Sequence, residues 1–364
     1  MIMEIDFLED NKKLVQEFGA ERIDKIKDLP NFYTFKKGLI YSHRDFDKFW
    51  KALKEGKKVA IVSGLNASGT LHLGHKVVFD TNLFFQKEFN VDVYIPISDD
   101  ESYVAKKVET QEEALYNAIN LVKQLIAYGF DPKKTHFIID QIYTNIYNLA
   151  IKLSRKLTLS EVKATYGYSN EQNAGLHFYP AVQAAHVLLP FDLGYDAVLV
   201  PIGPDEDAHL RIARDLATRF NYNKPAVLHL TFLPGIDGNK MSKSRNNAIY
   251  LNDSMSEIKK KIWRAFSGGQ PTLEEHRKLG GNPDIDIACQ YLAKFYLDEK
   301  EAKELFEGYR KGTITTGDVK KKLIKYVSEE LMKFQERLKH IKFEDIINSI
   351  MQNESFESKI RKLF

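Results

Sequence analysis

The chain has 364 residues, and its 53 Lys and Arg side chains nearly balance 50 Asp and Glu, which leaves a formal net charge of +3. This length predicts two or three domains, and the balanced charge excludes a protein that binds nucleic acid as a polycation over its whole surface. The single cysteine, Cys289, excludes an intramolecular disulfide framework and a multi-cysteine zinc site.

The start of the chain predicts a cytoplasmic protein with a helical beginning. Residues 1–10 lack the charged-then-apolar order of a signal peptide, and no uncharged apolar run approaches the roughly 20 residues that a bilayer requires. Residues 1–56 are predicted to be a helical segment. Within it, the polar stretch Tyr41 to Asp45 precedes an amphipathic helix over 46–53, which is typical of a serine cap at a helix start.

A strand, a glycine-bearing loop and a helix are predicted over residues 58–89. The loop reads Gly64-Leu65-Asn66-Ala67-Ser68-Gly69-Thr70-Leu71 and ends in His72-Leu73-Gly74-His75. Such a unit points backbone N–H groups and a helix N-terminus at a bound anion, and two histidines three positions apart share one face of a helix. Two such histidines can equally be capping or surface residues, so the motif by itself leaves both interpretations open.

A second strand, over 91–97, leads into Ser98-Asp99-Asp100-Glu101. Ligands of an open parallel sheet bind outside the carboxyl ends of its strands. The three carboxylates are therefore candidates for holding an ammonium group or a metal, with a solvated helix cap as the alternative for Asp99 and Asp100.

A third strand over 135–139 is followed by a helical insertion over about 141–190. The last helix of this insertion is apolar except for Gln183 and His186, which share one face because they are three positions apart. They are candidate ligand-binding residues, and the alternative is a pair of satisfied polar groups in the core.

Two further strands, over 196–202 and 226–231, complete the pattern. The first leads into Gly203-Pro204-Asp205-Glu206 and the second into a loop that reads Lys240-Met241-Ser242-Lys243-Ser244. Alternating strands and helices predict an α/β doubly wound parallel sheet over residues 57–252. Two lysines and two hydroxyls on a flexible loop suit a departing pyrophosphate, although a basic serine loop is ordinarily solvated surface.

Residues 253–364 are predicted to be a helical domain, and Lys320, Lys321 and Lys322 cluster on its long helix. A charge run on a helix is usually a solvated face. Behind a nucleotide-binding domain it favours contact with an RNA backbone.

The pair His-Leu-Gly-His and Lys-Met-Ser-Lys-Ser resembles the two signatures of class I aminoacyl-tRNA synthetases, whose catalytic domain is Rossmann-like. Further stretches resemble the tryptophanyl-tRNA synthetase family of the archaeal and eukaryotic cytoplasmic type, namely residues 41–45, 99–101, 265–269 and 272–277. The resemblance implies ATP with Mg²⁺, L-tryptophan and tRNA(Trp) as ligands, a homodimer, and a helical C-terminal domain that binds the anticodon.

The resemblance also implies a role for each site residue. The phosphates are expected on His72, His75, Lys240 and Lys243, and the rest of ATP on Ser68, Gly74, Gly203, Asp205, Met241, Ser242 and Ser244. The amino acid is expected on Gly64, Ser98, Glu101, Gln183, His186 and Glu206, and tRNA on Lys320, Lys321 and Lys322. No protein ligand for a metal is predicted.

The amino-acid pocket departs from this family. The usual readers of the indole N–H are replaced by Val62 and Pro96, and a further Gln by Glu206. His186 is then the favoured indole reader, because a neutral imidazole can accept a hydrogen bond. The alternatives are the tyrosine enzyme of the same subclass, whose phenol readers are absent at Val62 and His186, a tRNA-independent nucleotidyltransferase, and a non-catalytic paralogue that binds RNA or regulates.

Overall fold

Eight strands form one sheet at the centre of the computed structural model, which describes residues 2–231, 233–241 and 245–361. The strands are β1 (Glu21–Arg22), β2 (Ile40–Arg44), β3 (Val59–Val62), β4 (Leu65–Asn66), β5 (Asp92–Ser98), β6 (Thr135–Ile139), β7 (Ala197–Ile202) and β8 (Ala226–Leu230). Their order is β1-β2-β8-β7-β3-β5, and both β4 and β6 pair with β5.

Seventeen α-helices surround the sheet within the described residues. They are α1 (Ile2–Glu17), α2 (Tyr33–Lys36), α3 (Phe46–Lys54), α4 (Lys76–Phe89), α5 (Asp99–Val104), α6 (Gln111–Tyr128), α7 (Asn145–Ser154), α8 (Leu159–Tyr166), α9 (Ala174–Asp192), α10 (Asp207–Arg219), α11 (Met255–Arg264), α12 (Leu273–Leu279), α13 (Ile287–Tyr291), α14 (Glu299–Arg310), α15 (Thr316–Lys339), α16 (Phe343–Ser349) and α17 (Phe356–Arg361). Short 3-10 turns span Ile23–Lys25, Leu73–His75 and Pro204–Glu206, and a π-helical turn spans Leu292–Tyr296.

The predicted parallel sheet is confirmed, because β3, β5, β6, β7 and β8 pair in parallel at the predicted positions. All four residues of β3 are buried. Ile61 packs into one core cluster, whereas Ala60 and Val62 pack into another. Successive residues of β3 therefore belong to two different cores, so helices cover both faces of the sheet. Burial on both faces explains why the strands are predominantly apolar.

Residues 1–56 are not purely helical, and the prediction was wrong on this point. Residues 40–44 form β2, which runs antiparallel to β8 with Ser42 opposite His229. Ser42 is fully buried, and its hydroxyl lies 2.8 Å from Nδ1 of His229. Helix α3 instead starts after Asp45, whose φ of 51° is left-handed and whose side chain makes no capping bond. The polar stretch fits inside the sheet because partners distant in sequence satisfy Ser42 and Arg44.

The C-terminal helices share a core with the sheet. One cluster of buried side chains runs from Ile61 and Val93 to Leu323, Val327 and Leu331 of α15. In this region α13 is followed directly by the π-helical turn. In the parts of the chain that the structure describes, no helix is long and apolar enough to cross a membrane.

Candidate active site

The two histidines of the His-Leu-Gly-His stretch cap their own turn. Nδ1 of His72 accepts the N–H of Gly74 at 3.1 Å, and Nδ1 of His75 accepts the N–H of His72 at 3.2 Å. The two ring centres are 4.1 Å apart. This reciprocal capping holds both imidazoles side by side at the N-terminus of α4, where backbone N–H groups favour an anion.

Gly74 allows the second motif to lie against the first. A Cβ atom at Gly74 would be 2.7 Å from the ring of His72 and 3.0 Å from Sδ of Met241. The backbone beyond the second motif also pairs with the turn, since Leu73 N–H donates to Ile249 O and Leu251 N–H donates to Leu71 O, both at 2.9 Å. The structure therefore brings the two motifs together.

Lys240, the first residue of the Lys-Met-Ser-Lys-Ser stretch, also reaches the carboxyl end of β7. Nζ of Lys240 is 2.7 Å from Oδ2 of Asp205, and each side chain is about half exposed, at 52% and 48%. Desolvation by the surrounding protein raises the pKa of the neighbouring Glu206 to about 7, although part of its side chain stays accessible. Ser242, Lys243 and Ser244 lie outside the described residues.

Side chains at the end of β5 are held by partners from three other segments. Glu101 pairs with Lys107 at 2.8 Å and accepts a hydrogen bond from the amide of Asn66. The hydroxyl of Ser98 lies 2.8 Å from that of Tyr179 on α9. Gly64, at the end of β3, is exposed and has ordinary room around it.

Gln183 is oriented by a tyrosine that the sequence analysis did not single out as a site residue. The hydroxyl of Tyr166 donates to Oε1 of Gln183. The ring of Tyr166 stacks in parallel on His209, with 4.1 Å between the ring centres. This bond fixes the orientation of the Gln183 amide and takes one lone pair of its Oε1, so that the second lone pair remains for another donor.

His186 is buried against Asp140 rather than open to solvent. Nε2 of His186 is 2.8 Å from Oδ1 of Asp140, and the two side chains are 3% and 0% exposed. Burial lowers the pKa of His186 to about 4, although the charges of Asp100 and Asp99 act in the opposite direction. The imidazole is therefore neutral at physiological pH.

Asp99, Asp100 and Asp140 form a cluster whose carboxylate oxygens lie within 4.8 Å of one another. Asp99 is fully buried and accepts the backbone N–H groups of Asp140 and Gln141, so its interpretation as a solvated cap was wrong. Burial, with the nearby charge of Asp140, raises the pKa of Asp100 to about 8. Among the residues that the structure describes, Oδ2 of Asp140 has no hydrogen-bond partner, and a proton carried by the nearby Asp100 would suit it.

Asp140 was missed in the sequence, although a usable signal was present. It follows β6 directly, as Ser98 ends β5, and polar residues at the carboxyl ends of parallel strands line the ligand crevice.

Val62 and Pro96 are buried and offer no side-chain acceptor.

Lys320 does not face tRNA, and that prediction was wrong. Its side chain is buried, and Nζ donates to the backbone oxygens of Trp263 and Ala265 at 2.9 and 2.7 Å, at the end of α11. Burial lowers the pKa of its ammonium. Lys321 and Lys325 are exposed and Lys322 is half-buried, because successive helical residues are rotated by about 100° from one another.

Comparison with known proteins gives a single family. Residues 54–332 match the tRNA synthetases of class I, W and Y. Tryptophan–tRNA ligases of Sulfurisphaera tokodaii and Methanocaldococcus jannaschii are both 38% identical, over 92% of this chain and 90% and 93% of their own lengths. The crystal structure of tryptophanyl-tRNA synthetase from Aeropyrum pernix has a TM-score of 0.85 and 30% identity, and covers 94% of this chain and 96% of that one.

Proposed function

The chain belongs to the class I tRNA synthetases of tryptophan and tyrosine, and we infer from this membership and from its site that it joins L-tryptophan to tRNA(Trp). The tyrosine alternative is not favoured, because the similar relatives are tryptophan enzymes. The single observation that carries activity, rather than a non-catalytic paralogue, is the packing of Met241 against the Gly74 turn, which assembles both phosphate motifs.

ATP use follows from the family, and the phosphates would lie between the two motifs. The tryptophan carboxylate attacks the α-phosphorus, the bond to the β-phosphate oxygen breaks, and pyrophosphate leaves with both electrons of that bond. The carboxylate is already ionised near pH 7, so no general base is needed. We assign His72, His75, Lys240 and Lys243 to the phosphates, where fixed positive groups stabilise the developing charge.

The remaining ATP contacts follow from the same placement. Ser68, Gly74, Met241, Ser242 and Ser244 belong to the two motifs and would line the nucleotide, whereas Gly203 and Asp205 would meet the ribose from the end of β7. Mg²⁺ would arrive with the ATP phosphates, and no protein ligand is assigned to it. Lys240 would exchange its contact with Asp205 for a phosphate, which half-exposed partners permit at little cost.

The substrate ammonium is assigned to Glu101 and Gln183. Asn66 and Lys107 hold the Glu101 carboxylate at the end of β5, and Tyr166 holds the Gln183 amide. Ser98 and Gly64 would line the same pocket. Glu206, which follows the carboxyl end of β7, is the rival acceptor for the indole N–H, but burying its charge without a cation would be costly.

The indole N–H is assigned to Nδ1 of His186, with Asp140 as a positioning residue. Burial raises the pKa of Asp140 as well as that of Asp100, so the two carboxyl groups hold a proton between them. We assign this proton to Asp100, which leaves Asp140 ionised to accept a hydrogen bond from Nε2–H of His186. Nδ1 then carries the lone pair that the indole N–H requires. With the pKa of His186 lowered to about 4, tryptophan affinity is expected to persist as the pH falls through 6 and to be lost near pH 4.

In the second step, a terminal hydroxyl of tRNA attacks the adenylate carbonyl and AMP leaves. The helical region after residue 253 would bind the tRNA, with Lys321 and Lys322 retained from the predicted contacts. We also propose that the protein is cytoplasmic and forms a homodimer. Sedimentation of the purified protein would test the homodimer.

The test of function is ATP–pyrophosphate exchange with each of the twenty amino acids. Tryptophan is expected to drive exchange and tyrosine is not. Comparable exchange with tyrosine would overturn the choice of substrate, and exchange with no amino acid would favour the paralogue.

A further inference from the structure

Lys76 directly follows His75 and is the first residue of α4. Its Nζ is 2.5 Å from Oε1 of Glu330 on α15 and 3.0 Å from Oδ2 of Asp80 one turn along α4, and its side chain is only 11% exposed. Burial by itself would lower the pKa of this ammonium, but the charges of Asp80 and Glu330 outweigh burial and raise it. A charged link therefore joins the phosphate-binding turn to a C-terminal helix.

Three tyrosines complete this partly buried cluster. Tyr33 and Tyr128 each donate a hydrogen bond to one oxygen of Asp80, and Tyr296 donates to Oε2 of Glu330, all at 2.6 Å. Both carboxylates are thus fixed by neutral donors as well as by Lys76. Hydrogen bonds to charged groups are stronger than those between neutral groups, and they strengthen one another in a network. The distance between α4 and α15 is therefore closely set.

The same C-terminal helix holds the other flank of the turn. The amide of Gln335 donates to the backbone oxygens of Leu251 and Asp253 at 3.0 and 2.9 Å. Leu251 in turn pairs with Leu71, just before His72. Helix α15 is therefore linked to both flanks of the His-Leu-Gly-His turn, directly to Lys76 through Glu330 and indirectly to Leu71 through Gln335 and Leu251.

We propose that Lys76 and Glu330 are positioning residues for the ATP-dependent step: their contact sets the place of the His72–His75 turn relative to α15. Adenylate formation thereby depends on the packing of the helical region that would carry tRNA. The reason is geometric, since a phosphate-binding group displaced by about 1 Å loses much of its effect on the transition state. This inference rests on the proposed function.

The experiment is a double-mutant cycle with Lys76→Met and Glu330→Gln. Glu329→Gln is the matched control, because it makes the same chemical change at an exposed neighbouring position of α15. Tryptophan-dependent ATP–pyrophosphate exchange is measured at a temperature well below the lowest thermal unfolding midpoint among the wild type and the variants. Rates are expressed per active site, titrated by the burst of adenylate formation, so that unfolded protein does not count.

Each single variant is expected to lower kcat about tenfold with KM for tryptophan within about twofold. The double variant is expected to be no slower than the slower single variant, since the two residues act through one contact. Glu329→Gln is expected to match the wild type.

Two results would overturn the inference: kcat per active site within about twofold of wild type in both single variants, or losses that multiply in the double variant. Wild-type protein without tryptophan-dependent exchange would overturn the proposed function, and this inference with it. If the wild type shows tryptophan-dependent exchange, the proposed function stands, and the kcat values of the variants then test this inference alone.

Discussion

The phosphate side and the amino-acid side of the proposed site are held by different kinds of contact. On the phosphate side, backbone pairing joins the His72 turn to residues 249–251, and the ion pair of Lys240 with Asp205 is half exposed. On the amino-acid side, His186 and Asp140 are almost entirely buried and joined through their side chains.

The difference follows from what each side has to recognise. Pyrophosphate is a strongly charged leaving group, and cations on an accessible loop can meet it and release it. The indole is an apolar ring with one N–H donor, and a buried donor without an acceptor costs about 1–3 kcal/mol. A neutral ring is thus best read by a pocket that is already built.

Removing the close approach on the phosphate side should have the largest effect. We expect Gly74→Ala to lower the kcat of exchange about a hundredfold, because the added Cβ would displace His72 and Met241. Steady-state exchange kinetics would measure this, with Gly317→Ala as the control, since the nearest atom to a Cβ there is 3.7 Å away. A loss below about threefold would show that this side tolerates displacement.

The buried side can be tested by separating the two nitrogens of His186. Asn places an acceptor near the position of Nδ1, whereas Gln places a donor near Nε2 and keeps the contact with Asp140. If Nδ1 reads the indole, His186→Gln should have a tryptophan KM about tenfold above that of His186→Asn. KM for ATP should be the same in both.

The opposite order, with Gln the better substitute, would contradict this assignment. His186 would then serve chiefly as the partner that keeps Asp140 from being buried alone.

Local patterns were enough to predict the central sheet. Strands β3, β5, β6, β7 and β8 are predominantly apolar, and their parallel order follows from the helices between them. Strand β2 could not be predicted in this way, because Arg44 is satisfied by Asp207, far away in sequence. The same reason hid Asp140, whose partner His186 lies beyond two intervening helices.

The phosphate motifs were visible because each is one contiguous stretch with a known resemblance. The pocket on the other side is assembled from single residues at the carboxyl ends of β5 and β6 and on α9, so no local sequence pattern predicts it. Lys320 shows the converse error, in which three adjacent lysines look like one basic patch although a helix points them in different directions.

The exposed ion pair between Lys240 and Asp205 allows a test of how little the contacts on the phosphate side contribute to stability. Asp205→Asn removes the partner of Lys240, and we expect the free energy of unfolding to change by less than about 0.5 kcal/mol, because exposed pairs contribute little. KM for ATP should rise about fivefold, since the ribose contact is weakened. Urea titration and exchange kinetics would measure both, and a large loss of stability would show that this side is fixed like the buried one.

The smallest expected effect extends the comparison to the C-terminal helix, where buried and exposed lysines stand side by side. Lys321→Ala combined with Lys325→Ala should weaken tRNA binding a few-fold at about 0.15 M salt and reduce the slope of log K against log salt by about one to two. Both side chains are exposed, so the unfolding free energy should stay the same.

Lys320→Met should have the opposite pattern of effects. The free energy of unfolding should fall by about 1–2 kcal/mol because two carbonyls lose their donor, and the salt dependence of tRNA binding should stay unchanged. Filter binding over a salt series, with urea titration of each variant, separates the two outcomes. If the double variant binds tRNA with the wild-type slope, the exposed face of α15 is only a solvated surface and the RNA contact lies elsewhere.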